Sequence, residues 1–311
     1  MDYELVKVFG LQRSGNHAII NWIIGHNPER TLFFNNRRMG QSLLKNPSGV
    51  SVPVGVKAHA TRHNGTIQIN NHLVRDFREF GNRVVVSFEN LNLSQFKDEI
   101  INEPIFEIFG RPVNQTNVVI IRNPFNLLVS LSELYGARSR RKDNVFSNHL
   151  SSVQKFTRRI KMDSGSSFPF IRKVRNMVAM KSHARHRLED VISLWPAYAR
   201  FASASQMLGA GHTIPIIYDR WVSEKGYRNE LAGEMGFPNC DRYLNFVSDA
   251  GGGSSFLGAA VTGQDLKKSD LLDRWQLSKD REKLSALAKS VPGLVDEAAK
   301  IFGSKTLPDG L

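Results

Sequence analysis

The residues best equipped for chemistry lie near the start of the chain, in "VKVFGLQRSGNHAIINWI". An apolar run ends at Gly10, four residues pass, and Gly15 follows. Two glycines at that spacing, between a strand pattern and a helix pattern, make a phosphate-binding loop. Such a loop wraps backbone N–H groups around a phosphate, and the helix start adds its own. The usual next residues, a lysine and a magnesium-holding hydroxyl, are replaced by Asn16 and His17. The positive charge sits inside the loop instead, at Arg13, whose guanidinium can fork onto phosphate oxygens. The spacing therefore predicts a loop in which Arg13, Ser14, Gly15, Asn16 and His17 hold a phosphate ester, for chemistry that uses no metal.

A second cradle is legible in "VVIIRNPFNLLVS". Arg122 ends an apolar run, and Ser130 follows eight residues later, in the second turn of a helix that starts at Asn123-Pro124. The expectation is that free helix N–H groups lie beside Arg122. Two phosphate sites on one sheet edge imply a ligand with phosphates at two ends, such as an adenosine substituted at both 3′ and 5′.

These residues need a scaffold. Strand patterns run over Leu5–Phe9, Val52–Ala60, Arg83–Glu89, Thr116–Asn123 and Thr213–Trp221. Near-continuous Val/Ile runs are the mark of strands buried on both faces. Helical patterns lie between several of them, one interrupted at Pro196. The alternation predicts an α/β, three-layer, P-loop-type fold, with a central, mostly parallel β-sheet flanked by helices. Residues 1–311 read as a single domain.

Charge is unevenly spread. The chain carries a net +13, and residues 138–187 alone carry +12, with fourteen Lys/Arg against two acids. Strand signals vanish in that window, which reads as a basic helical or loop insertion. It would attract an anionic partner. A single cysteine, Cys240, rules out an intrachain disulfide. No apolar stretch reaches membrane-span length, and the N-terminus has no signal-peptide pattern. The expectation is a cytoplasmic protein.

Taken in order, "GLQRSGNHA", "VKAHA", "VVIIRNPFNLLVSLSELYG" and "TIPIIYDRWVSEKGYRNELAGEMGF" resemble the sulfotransferases that use 3′-phosphoadenosine 5′-phosphosulfate (PAPS). The first resembles their 5′-phosphosulfate loop. The third is similar to their 3′-phosphate motif, in which Arg and Ser lie eight apart. The second resembles their Lys-Thr-His-Leu motif, whose histidine is the base. The fourth is similar to a segment whose tyrosine, here Tyr218, lies near the adenine. "GGGSSFLG" and "DRW" (Asp273–Trp275) resemble C-terminal elements of some bacterial members. The family's Arg-Lys-Gly is missing near "GGGSSFLG", which leaves its contact to the 3′-phosphate to Ser254 and Ser255.

The resemblance implies sulfuryl transfer from PAPS to an acceptor hydroxyl, with 3′,5′-bisphosphate (PAP) as product and no metal. Arg13 would neutralise the leaving 5′-phosphate. Lys57 and His59 are two apart on one strand pattern and so share a face. That assigns His59 as base and Lys57 as stabiliser of the sulfuryl group. Glu89, ending "RVVVSFE", is the rival base, and His17 and His63 are further candidates. The 138–187 window would lie over the acceptor site. Its charge points to an anionic or carbohydrate acceptor, or a lipid at an anionic membrane surface, where "FPFIRKVRNMVAM" could lie as a basic amphipathic helix. Nucleic acid is not expected. Two other readings stand beside this one: a P-loop nucleotide or nucleoside kinase, and a non-catalytic module that binds polyanions.

Overall fold

The computed structural model describes residues 2–43, 50–51, 60–63, 66–69, 77, 79, 81–136, 187–203, 206–238, 272–304 and 307. The first half holds β1 (Glu4–Gly10), α1 (Asn16–Gly25), β2 (Thr31–Phe34), β3 (Val50–Ser51), β4 (Ala60–His63), β5 (Thr66–Ile69), β6 (Arg83–Glu89), α2 (Asp98–Phe109) and β7 (Asn114–Ile121). Helices over residues 124–136 (α3) and 187–193 (α4) follow. Then come α5 (Trp195–Ser203), β8 (His212–Ile217), α6 (Tyr218–Ser223), α7 (Lys225–Glu234), α8 (Arg274–Leu277), α9 (Arg281–Ser290) and α10 (Leu294–Phe302).

Among the described residues, six strands form the main sheet, in the order β3-β2-β6-β1-β7-β8. β2, β6, β1, β7 and β8 run parallel, and β3 is an antiparallel edge. β4 and β5 form a separate antiparallel pair. β1 lies between β6 and β7, with Gly10 opposite Glu89 on one side and Ile120 on the other. The chain leaves β1 toward β2 and later crosses back to β7, so the strand order reverses at β1. In parallel α/β sheets, ligands settle at the carboxyl ends of the strands beside such a reversal.

The alternation along each strand builds two cores. Val6, Val8, Val85, Val118 and Ile120 face α1 and the α6–α7 pair, through Ile19, Trp22, Trp221 and Leu231. Leu5, Phe9, Val86, Val119 and Ile121 face the other layer, through Ile105, Phe125, Leu128, Trp195 and Leu294. This is the three-layer α/β architecture that the sequence predicted. Among the described residues, no helix is long and apolar enough to cross a membrane.

One charge sits inside this sheet. Lys7, in the middle of β1, is 0% exposed. Its ammonium donates to Asp98 Oδ1 at 2.6 Å and to Asn102 Oδ1 at 2.8 Å, both on α2. Burial lowers the Lys7 pKa, and Asp98 works against that. A lysine in the apolar run thus fixes α2 against β1.

Some local expectations shift. The helix interruption falls at Leu194, not Pro196. Pro196 stands in the first turn of α5, where a missing N–H costs nothing. The strand read to Trp221 ends at Ile217, and α6 begins at Tyr218 with Asp219 in its first turn. The predicted strand at Val52–Ala60 lies outside the described residues except for Ala60, which opens β4. The basic window 138–187 also lies outside them, except for Arg187 at the start of α4.

Candidate anion-binding site

The loop between β1 and α1 is held from several sides. Arg13 and Gly15 both take positive φ, 71° and 90°. Only glycine fits at Gly15 for a second reason: a Cβ there would come within 2.1 Å of the Tyr218 ring. At Gly10 a Cβ would meet Asn16 Oδ1 at 2.0 Å. The Asn16 side chain is folded back over Gly10, donating to the Leu11 carbonyl at 3.1 Å and to Glu89 Oε1 at 3.4 Å. It braces the loop against β6. Gln12 N–H donates to Asn90 Oδ1, and the Tyr135 hydroxyl donates to Gln12 Oε1.

Around this braced loop, α1 begins without a side-chain cap and without an acid in its first turn. No acid of α1 itself meets its N-terminal partial charge, and the nearby carboxylate is Glu89, from β6. The Ser14 side chain is 1% exposed, and its hydroxyl has no hydrogen-bond partner among the described residues. His17 Nδ1 is likewise buried without a partner. Burial lowers the His17 pKa, Glu89 raises it, and Arg13 adds to the lowering.

The second cradle touches the first. Arg122, buried at the end of β7, donates from Nη1 to the Arg13 carbonyl at 2.9 Å. Its guanidinium lies over the Tyr218 ring, 5.2 Å from the centroid. The Trp195 indole N–H donates to the Arg122 carbonyl at 2.9 Å and so fixes the backbone there. Tyr218 is 6% exposed and packs with Trp221, so its ring supports both Gly15 and Arg122.

The start of α3 differs from the expectation. Asn123 caps it as predicted: its Oδ1 accepts from the N–H groups of Phe125 and Asn126 at 3.0 and 3.3 Å. Asp219 Oδ2 takes the Asn123 N–H at 2.9 Å. These amides are therefore not free beside Arg122. Of the two helix starts beside Arg13 and Arg122, that of α1 is the one without a side-chain cap.

Sequence reading named Ser130 but missed its partner. Ser130 Oγ accepts from Arg274 Nη1 at 3.2 Å. Arg274 is 4% exposed, and its pKa is pulled down to about 10 by burial first and Arg122 next, with Arg13 adding to the lowering. A clamp delivers it. Asn126 donates to the Leu272 carbonyl and accepts the Trp275 N–H at 3.0 Å. Trp275 also packs edge-on against Phe125, centroids 5.1 Å apart. Arg13, Arg122 and Arg274 thus gather at one edge of the sheet from three distant parts of the chain. The signal for Arg274 was present in "DRW", where its role could not be read without the fold.

Glu89, half-buried at the end of β6, stands at the same edge. Lys57, His59, Ser254 and Ser255 lie outside the described residues, as does the side chain of His63. Among the described residues no group of three or more His, Cys, Asp or Glu could hold a metal ion. A groove of about 580 Å³ opens past the end of β6, between Asn92, Ser94, Ser193, Arg200 and Pro292. It lies along α5, whose Trp195 reaches inward to Arg122.

No family model, curated protein or solved structure matches the chain.

Proposed function

We propose that the chain is a sulfotransferase that moves the sulfuryl group of PAPS to an acceptor hydroxyl. The observation that carries this is the gathering of Arg13, Arg122 and Arg274 beside the uncapped start of α1 and the sealed Ser14 hydroxyl. Three cations at the carboxyl edge of a parallel sheet suit a ligand with several negative charges. The strand order around β1 and the loop that follows it support a P-loop-type reading of the fold.

The donor set fits the co-substrate. The loop residues Arg13 to His17 would hold the 5′-phosphosulfate, through backbone N–H groups and the Arg13 guanidinium. Asn16 contributes by holding the loop's shape, because its side chain is committed to Leu11 and Glu89. Arg122, Ser130 and Arg274 would hold the 3′-phosphate. Arg274 thereby fills the place left by the missing Arg-Lys-Gly, alongside any contact from Ser254 and Ser255. Tyr218 would border the adenine while supporting the loop. When bound, PAPS supplies the sulfuryl group and departs as the 3′,5′-bisphosphate.

The residues of the chain position and neutralise. Arg13 stabilises charge on the leaving 5′-phosphate. A base takes the acceptor proton, His59 with Lys57 beside it, or Glu89. Glu89 has the stronger support among the described residues, because it ends the strand next to the loop and is oriented by Asn16. The acceptor class is a carbohydrate or glycolipid, anionic or at an anionic surface, on the charge of residues 138–187.

Calorimetry with adenosine 3′,5′-bisphosphate tests the reading. Wild type should bind, and Arg122→Ala should lose binding. Absence of binding by wild type would sink it. A screen of PAPS carrying radiolabelled sulfate, against glycans, glycolipids and phenols, would then find the acceptor.

A further inference from the structure

We propose that His17 makes anion binding at the α1 loop proton-linked: the imidazole takes up a proton when a tetrahedral dianion settles there, so affinity falls as pH rises. This rests on the proposed function only in placing such a dianion at the loop.

Two buried polar atoms near Gly15 have no hydrogen-bond partner among the described residues. One is the Ser14 hydroxyl, sealed from solvent. The other is His17 Nδ1. Buried polar atoms in native proteins nearly always have partners, and exceptions call for a ligand, a water or a chemical role. Both atoms lie where α1 begins uncapped, beside a loop that carries Arg13.

The charged surroundings of His17 decide the sign. Arg13 acts from the loop and Glu89 from the end of β6. α1 carries no other acid or base over Asn16–Gly25. α6 brings Tyr218 against Gly15, and its Asp219 is bonded to the start of α3. Arg122 reaches the loop from the end of β7, at the Arg13 carbonyl, and Arg274 bonds Ser130 on α3. In the free protein, burial and Arg13 favour the neutral ring, with Glu89 as the opposing charge. A dianion at the loop adds negative charge next to the imidazole and offsets Arg13. Both changes favour the imidazolium, so the anion and a proton bind together. The gain from the proton is complete below the free-state pKa. It fades as pH rises, and is gone above the bound-state pKa. A hydroxyl at this position would bond the anion without any such dependence.

The test uses the full chain and sulfate, which keeps both charges across the range where histidine titrates. Calorimetry is run from about pH 5.5 to about 8.5, in buffers of different ionisation enthalpy. The expected result is an association constant that falls with pH, by up to about tenfold per pH unit over part of the range. The buffer dependence should report uptake of up to one proton. His17→Gln keeps a neutral donor and should bind with a flat profile. Adenosine 3′,5′-bisphosphate serves as the second probe. A flat wild-type profile, or a slope that persists in His17→Gln, overturns the proposal while leaving the sulfotransferase reading intact. If neither sulfate nor the bisphosphate binds at any pH, both fall together.

Discussion

Replacing Arg274 with methionine should separate stability from binding. In wild type, burial first and Arg122 second pull the Arg274 pKa to about 10, against an ordinary 12.5. Keeping that cation charged in the fold therefore costs roughly 3 kcal/mol at neutral pH. The sign follows from the direction: a base with a lowered folded pKa is destabilising wherever it stays protonated, and at neutral pH it is fully protonated. Methionine has a similar stem and no charge, so it recovers this cost. It also loses the bond to Ser130 and strands that buried hydroxyl, at about 1–2 kcal/mol. The net expectation is a stabilisation of about 1–2 kcal/mol, a rise in Tm of roughly 2–4 °C by scanning calorimetry. Binding should move the other way. Loss of charge-assisted bonds to a phosphate in a dry site costs about 3 kcal/mol, on the order of 100-fold in affinity for the bisphosphate. A variant that binds like wild type but melts several degrees lower would refute this reasoning and make Arg274 a structural residue.

Other perturbations probe the parts around it. Asn126→Ala should weaken bisphosphate binding nearly as much as Arg274→Met although Asn126 holds no anion, and limited proteolysis should then cut near Leu272. Gly15→Ala must place a methyl against Tyr218 at a φ of 90°; it should destabilise by at least ~2 kcal/mol in urea unfolding and abolish anion binding. Asp98→Ala should cost about 3–5 kcal/mol by the same assay, because it leaves Lys7 charged and buried, whereas Lys7→Met combined with Asp98→Leu should recover most of that loss.

Much of this architecture can be read from the chain. "RVVVSFE" and "NHAIINWIIG" coincide with β6 and α1 residue for residue, because uninterrupted β-branched runs and glycine-bounded apolar periodicity leave little choice. "TLFF" did not stand out as a strand, since four residues give no period to count, and it becomes β2 by pairing with β6 and β3. α2 and the closing helices α9 and α10 also escaped notice, as amphipathic segments without a chemical motif. In the site, Arg13, Arg122 and Ser130 were legible because each stands at a fixed distance from a glycine or a helix start. Arg274 was not, since its place depends on Asn126 catching two backbone groups nearly 150 residues further on. The amides of α3 misled for a similar reason. Asp219, which occupies one of them, arrives from β8 and α6 and leaves no local mark near Asn123.

The three arginines also set an order of assembly. Among the described residues, the strands of the main sheet all lie before Tyr218, whereas Arg274 comes more than fifty residues later. During synthesis the sheet, the loop at Gly15 and Arg122 can come together while the third guanidinium is still inside the ribosome. The growing chain is thereby spared the mutual repulsion of three clustered cations until residues 272–275 emerge and Asn126 catches them. Full anion capture would then come late, only once the segment that carries Arg274 has left the ribosome.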